Sequence, residues 1–154
     1  MRINHLRYLS FALLLVFISS SEAQSSKPVN WTFSLKKVAD KEYDLIFKAE
    51  IRKGLHIYSQ HIGDGGPIPT SFIFNNDPNY SRTDSVIEKC IPTKTHDKMF
   101  DMDLLYFEDS AIFVQHIKVI GKTNTVTGTL EYMACDNRKC FPPQKVDYAF
   151  KLPE

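Results

Sequence analysis

The chain has almost no excess of either charge. Its 19 Lys and Arg stand against 18 Asp and Glu, a formal +1 with histidine neutral. Nucleic-acid binding needs a basic excess or a clustered patch, and the short pairs Lys36-Lys37 and Arg138-Lys139 supply neither. Beyond residue 23 no apolar run is long enough to cross a bilayer as a helix, and no prenylation signal ends the chain. No later segment keeps the period of an amphipathic helix. The glycine-rich stretch GDGGPIPTSF has no Lys-Ser/Thr at its end and no helix after it, which excludes a phosphate loop and leaves a shaped turn. The three cysteines contain no Cys-x-x-Cys, and the five histidines no His-x-x-x-His. Repeats, low-complexity tracts and linkers are missing too, so the 154 residues read as one domain.

The N-terminus is different. Arg2 and Arg7 give a positive start, Leu9 to Ile18 is apolar apart from Ser10, and Ser21-Glu22-Ala23 puts small residues at the −3 and −1 positions of a cleavage site. This is the three-part pattern of a secretory signal peptide over residues 1–23. The mature domain, 24–154, then begins near Gln24 with a short flexible lead-in. Losing Arg2, Arg7 and Glu22 leaves it with no net charge. Export places the cysteines where disulfides persist.

What the mature chain has in abundance is period-two alternation. Trp31, Phe33 and Leu35 alternate with Thr32, Ser34 and Lys36. Tyr43, Leu45, Phe47, Ala49 and Ile51 alternate with polar residues, broken only by Ile46. Val126, Leu130 and Tyr132, and then Val146, Tyr148, Phe150 and Leu152, repeat the pattern. Such strands bury one face and wet the other. Leu55 to His61, Ser71 to Phe74, Ser85 to Ile91 and Ile112 to Ile120 are further candidates, separated by turn residues. Seven to nine short strands predict an all-β fold, an antiparallel sandwich or small barrel. Residues 92–103, PTKTHDKMFDMD, read as a polar connection with Met99 and Phe100 stranded in it.

The chemistry concentrates in EYMACDNRKCFPP, residues 131–143. Cys135 and Cys140 bracket four polar residues at the tip of a predicted hairpin, with Pro142-Pro143 restricting the return. Three readings compete. As a staple the pair closes a ring worth roughly 2 kcal/mol, against nearer 4 for a bridge across a sandwich. As a redox pair it sits where a partner can reach it. Arg138 and Lys139 beside Cys140 favour its thiolate, while Asp136 beside Cys135 disfavours that one. This leans toward Cys140 as the nucleophile and Cys135 as the resolving thiol. As a metal site the pair would need histidine partners for zinc or copper(I), which the spacing does not offer. Cys90 is left over, read as a small buried hydrophobe rather than a reactive thiol.

Taken together, WTFSLKKV, KGLHIYSQ, GGPIPTSF, DKMFDMDLLYFED and EYMACDNRKCFPPQKVDYAF, spanning about residues 29–152, resemble the N-terminal periplasmic domain of the thiol:disulfide interchange protein DsbD, the disulfide bond corrector family. The resemblance implies an immunoglobulin-like β-sandwich with a small inserted active-site subdomain and a cap loop. It implies a periplasmic thiol:disulfide oxidoreductase whose cysteine pair takes electrons from a membrane-embedded reductant. The recipients would be thioredoxin-like periplasmic proteins of the disulfide-isomerase or cytochrome c maturation type. The second cysteine of the family forms the mixed disulfide, matching Cys140. The family's cap falls on His96 to Asp101, which makes Met99 and Phe100 shielding residues and aligns Asp97 with an acidic residue that assists proton movement. Tyr58 takes the place of a flanking tyrosine, with His56 two residues before it. No cofactor or metal is needed. The cysteines have one fewer intervening residue than in the best-known members. With no membrane helices and no thioredoxin-type motif, a separate membrane reductant is expected. The rival reading is a secreted binding module with a purely structural Cys135-Cys140 bond.

Overall fold

The computed structural model describes residues 27–153; the predicted signal peptide and residues 24–26 lie outside the described residues. Eleven strands occur among them: β1 (Val29–Ala39), β2 (Glu42–Ile51), β3 (His56–Tyr58), β4 (Ser71–Phe74), β5 (Tyr80–Glu88), β6 (Thr93–Asp97), β7 (Met102–Glu108), β8 (Ser110–Val119), β9 (Thr125–Tyr132), β10 (Ala134–Cys135) and β11 (Gln144–Lys151). The sheets are antiparallel and ordered β1-β2-β8-β5, β10-β3-β7-β6 and β11-β9-β4. No helix occurs among the described residues. The fold is all-β, an immunoglobulin-like sandwich carrying a small extra sheet.

The first and third sheets face each other, and the alternation read from the sequence decides what lies between. Along β2 the side chains of Tyr43, Leu45, Phe47, Ala49 and Ile51 are buried, with exposed or half-buried residues between them. Phe47 is fully buried, with its ring 4.7 Å from Phe72 on β4 and 4.9 and 5.1 Å from Tyr148 and Phe150 on β11. Each such edge or tilted pair adds about 0.5–1.5 kcal/mol beyond the area buried. Gly128 on β9 leaves room for Tyr148 of β11 to reach across its own sheet to β4. The Tyr148 hydroxyl passes over it to donate to the Ile73 carbonyl at 3.0 Å. A Cβ at Gly128 would collide with both that carbonyl and that hydroxyl.

The small sheet grows out of the sandwich's central ladder. β2 and β8 pair as far as Glu50↔Ser110, and pairing resumes between β3 and β7 at His56↔Glu108. Residues 51–55 on one side oppose Asp109 alone on the other, a bend that re-aims the ladder. Asp109 takes a φ of 58° and Gly54 of 81°, left-handed values that suit an aspartate and a glycine. The Ile51 N–H donates to the Asp109 carbonyl at 2.8 Å across the bend.

Residues 92–103, read from the sequence as a polar connection, are more regular than that reading implied. They contain β6 and the tight turn Lys98 to Asp101 leading into β7. β7 itself was not expected as a strand. Leu55 to His61 is a strand only over His56–Tyr58. Ser59 is fully buried instead, its hydroxyl donating to Glu88 at 2.9 Å while Glu88 also accepts the Gln60 N–H at 2.7 Å. Cys90 is free and half-buried against the main core, short of the full burial expected.

Candidate functional site: a half-shielded disulfide under a hairpin cap

Directly paired residues of an antiparallel ladder point to the same face, and successive residues to opposite faces. In the small sheet Ala134 pairs with Ile57 and Ile57 with Phe107. All three join the sandwich core. The other face receives Cys135, opposite His56, and Tyr58, opposite Tyr106. There Tyr58, Leu104 and Cys135 make a second buried cluster, with Ile62, Phe100, Met102, Tyr106, Met133 and Cys140 packed against it. The chain thus uses one sheet to close its core and to build the floor of a site.

Cys135 and Cys140 are bonded, with S–S 2.02 Å and Cα–Cα 3.9 Å, and they face each other as an isolated antiparallel bridge. The loop between them is closed by its own chemistry. The Asp136 carboxylate accepts the N–H groups of Arg138 at 2.7 Å and Lys139 at 2.8 Å. These backbone donors are the main reason its carboxyl is held below the usual range. The Asp136 N–H donates to the Lys139 carbonyl and that of Phe141 to the Ala134 carbonyl. β9 and β11 pair behind the loop from Gln144↔Tyr132 onward, the hairpin expected from the sequence. The two sulfurs are not equivalent. Cys135 is fully buried, whereas Cys140 is partly exposed.

The cap is the tip of the β6–β7 hairpin. Asp97 ends β6, and its Oδ1 accepts the N–H of Met99 at 2.7 Å and of Phe100 at 3.2 Å. Asp101 completes the turn with a φ of 54°. The geometry carries Met99 over the disulfide, its Sδ 4.0 Å from the Sγ of Cys140. A bonded cysteine has no proton to donate, so this is a contact between sulfurs. Phe100 points inward and meets Tyr58 edge-on at 6.4 Å. Met102 follows on β7 and packs its flexible thioether over Gly66, where a Cβ would make it shift.

Beside the disulfide, a groove of about 420 Å³ is lined by His56, His96, Asp97, Met99, Tyr106 and Asp136, among others. His56 sits at its base with Nε2 3.1 Å from the Tyr58 hydroxyl and its ring 4.8 Å from Tyr106. Burial lowers the His56 pKa, opposed by the charges of Asp97, Glu108 and Asp136. Burial, then the charge of Asp97, raises that of Tyr58 far out of reach of neutral pH. Both groups are therefore neutral near pH 7, and their hydrogen bond is one between uncharged partners.

All seven residues singled out from the sequence, His56, Tyr58, Asp97, Met99, Phe100, Cys135 and Cys140, meet at this one site. Sequence reasoning missed Leu104 and Tyr106, which floor it, and Met102 and Met133, which flank it. It also missed Asp136 as the clasp of its own loop, although an Asp opening a short polar bracket is a signal for that turn. Among the described residues no three His, Cys, Asp or Glu side chains are grouped to hold a metal ion.

The chain matches the family described as thiol:disulfide interchange protein DsbD, N-terminal, over residues 23–152. No curated protein sequence matches it. Among solved structures, the N-terminal periplasmic domain of ScsB from Proteus mirabilis is similar at a TM-score of 0.59 and 15% identity, over 84% of this chain and 47% of that one. The present chain thus spans about half the length of that domain, and the likeness is one of fold. The reduced DsbD N-terminal domain of Neisseria meningitidis gives a TM-score of 0.47 and 16% identity, over 80% of this chain and 86% of that one.

Proposed function

The chain belongs to the family of N-terminal domains of the thiol:disulfide interchange protein DsbD, and from that premise we propose that it is a periplasmic protein-disulfide reductase working through Cys135 and Cys140. Residues 1–23 direct export and are removed after Ala23. A membrane-embedded thiol reductant recharges the pair. Its clients are oxidised, thioredoxin-like exported proteins of the isomerase or cytochrome c maturation type.

One observation carries the division of labour: Cys135 has no exposed surface while Cys140 does. An incoming partner reaches Cys140 alone. In the working direction the Cys140 thiolate attacks the client disulfide, one client sulfur leaves as thiolate, and a mixed disulfide forms. The Cys135 thiolate then attacks Cys140, the second client sulfur leaves, and the Cys135–Cys140 bond closes. Recharging runs the reverse path, and Cys135 departs as a buried thiolate that needs a proton. Asp97, on the wall of the groove that holds His56, is the relay for that proton. Met99, Phe100, Tyr58 and His56 shelter the bond until a partner moves the cap. Arg138 and Lys139, both exposed beside Cys140, favour its thiolate.

The test is covalent trapping in a Cys90→Ser background with an oxidised thioredoxin-like protein. Cys135→Ser accumulates the mixed disulfide, and Cys140→Ser does not. Equal trapping by both variants removes the assignment of roles. A midpoint potential below about −300 mV would mark the bond as structural and return the chain to the class of exported binding modules.

A further inference from the structure

Met99 is 47% exposed, yet its sulfur is in contact with the outer sulfur of the cysteine pair, Sδ to Sγ 4.0 Å. It is not there by accident of a loose loop. Two hydrogen bonds from the Met99 and Phe100 N–H groups to Asp97 hold the turn, and Phe100 anchors it against Tyr58. A thioether with half its surface in water is open to oxidation by peroxide, which converts it to the sulfoxide. A sulfoxide sulfur is an electrophile, and here the neighbouring sulfur is the one whose thiolate the surrounding charges favour. Shielding alone does not call for sulfur at this position, since a leucine covers a disulfide as well and resists oxidation.

We infer that the reduced Cys135/Cys140 pair reduces the sulfoxide of Met99 within the same molecule, a methionine-sulfoxide reductase activity directed at the protein's own cap. The inference rests on the pair being reducible, as proposed above. The Cys140 thiolate attacks the sulfoxide sulfur. The S–O bond breaks, the thioether is restored, and the oxygen passes to Cys140 as a sulfenic acid. Cys135 then attacks the Cys140 sulfur and expels the oxygen as water, closing the disulfide. One sulfoxide and two thiols give one thioether, one disulfide and one water. Two electrons move from the thiols to the Met99 sulfur, and the two thiol protons leave in the water. The membrane reductant that recharges the pair thus also maintains the cap.

The experiment starts from the mature chain carrying Cys90→Ser with its disulfide closed. Hydrogen peroxide oxidises Met99, dithiothreitol then opens the pair, and both reagents are removed without air. Fragment mass spectrometry follows the added oxygen on Met99, and maleimide labelling counts thiols. The expected result is loss of the Met99 sulfoxide together with both thiols, one sulfoxide per disulfide formed. Its rate exceeds that of Cys140→Ser, and of the same protein with both thiols alkylated, by roughly tenfold or more, because the reacting groups are held in contact. A sulfoxide that persists at the rate of those controls, while maleimide finds two thiols, overturns the inference and leaves the exchange function standing. Absence of thiols after dithiothreitol with the Met99 sulfoxide still in place means the pair does not open, and both proposals fall together.

Discussion

The Asp97 carboxylate accepts the Met99 N–H at 2.7 Å, and Met99 in turn places its sulfur 4.0 Å from Cys140. The acidic residue of the cap is therefore tied first to the cap's shape. Any part it takes in moving protons has to be separated from that tie, and two substitutions at the same position do so.

Asp97→Ala removes the acceptor and frees the turn. Reduction of the disulfide by a small thiol such as dithiothreitol should then speed up roughly tenfold, the worth of one hydrogen bond of about 1.4 kcal/mol. Asp97→Asn keeps an acceptor oxygen and loses the charge. It should leave the small-thiol rate within about twofold of wild type while slowing exchange with a protein partner. Stopped-flow rates with both kinds of thiol decide the matter. If Asp97→Asn matches wild type with the protein partner as well as with the small thiol, Asp97 is a clasp and nothing more.

Met99 and Phe100 differ in what they do, although they are neighbours. Met99 is about half exposed and touches Cys140, whereas Phe100 is half-buried on Tyr58. Met99→Ala should speed small-thiol reduction severalfold yet change stability by less than about 0.5 kcal/mol. Phe100→Ala should speed reduction too, and also cost about 2 kcal/mol, roughly half the loss from truncating a fully buried phenylalanine. Denaturant melts paired with reduction rates check both. A Met99→Ala variant with wild-type reduction kinetics would falsify its role as a shield.

The sandwich was legible in the sequence where each strand has one wet face. β2 alternates cleanly because it buries only Tyr43, Leu45, Phe47, Ala49 and Ile51. β7 gave no such sign. Leu104 belongs to the cluster under the disulfide and Phe107 to the main core, so it carries apolar residues on both faces and period two disappears. β3 is obscured in the same way, with His56, Ile57 and Tyr58 all buried. The cysteine pair and the cap residues were legible as residue types in odd places: two sulfurs in a polar bracket, and two apolar side chains in a polar run. What remained hidden was the bend at residues 51–55 that turns one ladder into two sheets and brings those segments together.

His56 gives the site a dependence on pH whose sign follows from its surroundings. It faces Cys135, Tyr58, Tyr106 and the carboxylates of Asp97, Glu108 and Asp136. Burial outweighs the carboxylates and lowers its pKa from 6.5. The unfolded chain thus binds the proton more readily than the folded one. The stability tied to neutral His56 is present above about pH 6.5 and is lost as pH falls through the lowered folded value. His56→Gln retains a partner for the Tyr58 hydroxyl without titrating. Its melting temperature should fall less steeply than that of wild type between about pH 7 and about pH 5. Identical slopes would assign the acid sensitivity to the carboxylates instead.

Opening the disulfide should leave the fold intact. The Cys135–Cys140 ring is short, and its loop is already closed by the Asp136 carboxylate, by the Asp136 N–H to the Lys139 carbonyl, and by the Phe141 N–H to the Ala134 carbonyl. The sandwich core around Phe47 does not include either sulfur. In the chain-entropy view so small a ring contributes about 2 kcal/mol, which for a domain of this size corresponds to roughly 5–10 °C in melting temperature. Calorimetry with and without dithiothreitol should therefore show one cooperative transition displaced by about that amount, and Cys135→Ser/Cys140→Ser should reproduce it. The proposed exchange role requires that the bond contribute no more than this, because the reduced form would have to stay folded between encounters with other proteins. Loss of the cooperative transition on reduction would mean that the hairpin depends on its disulfide, and a carrier of electrons could not be built that way.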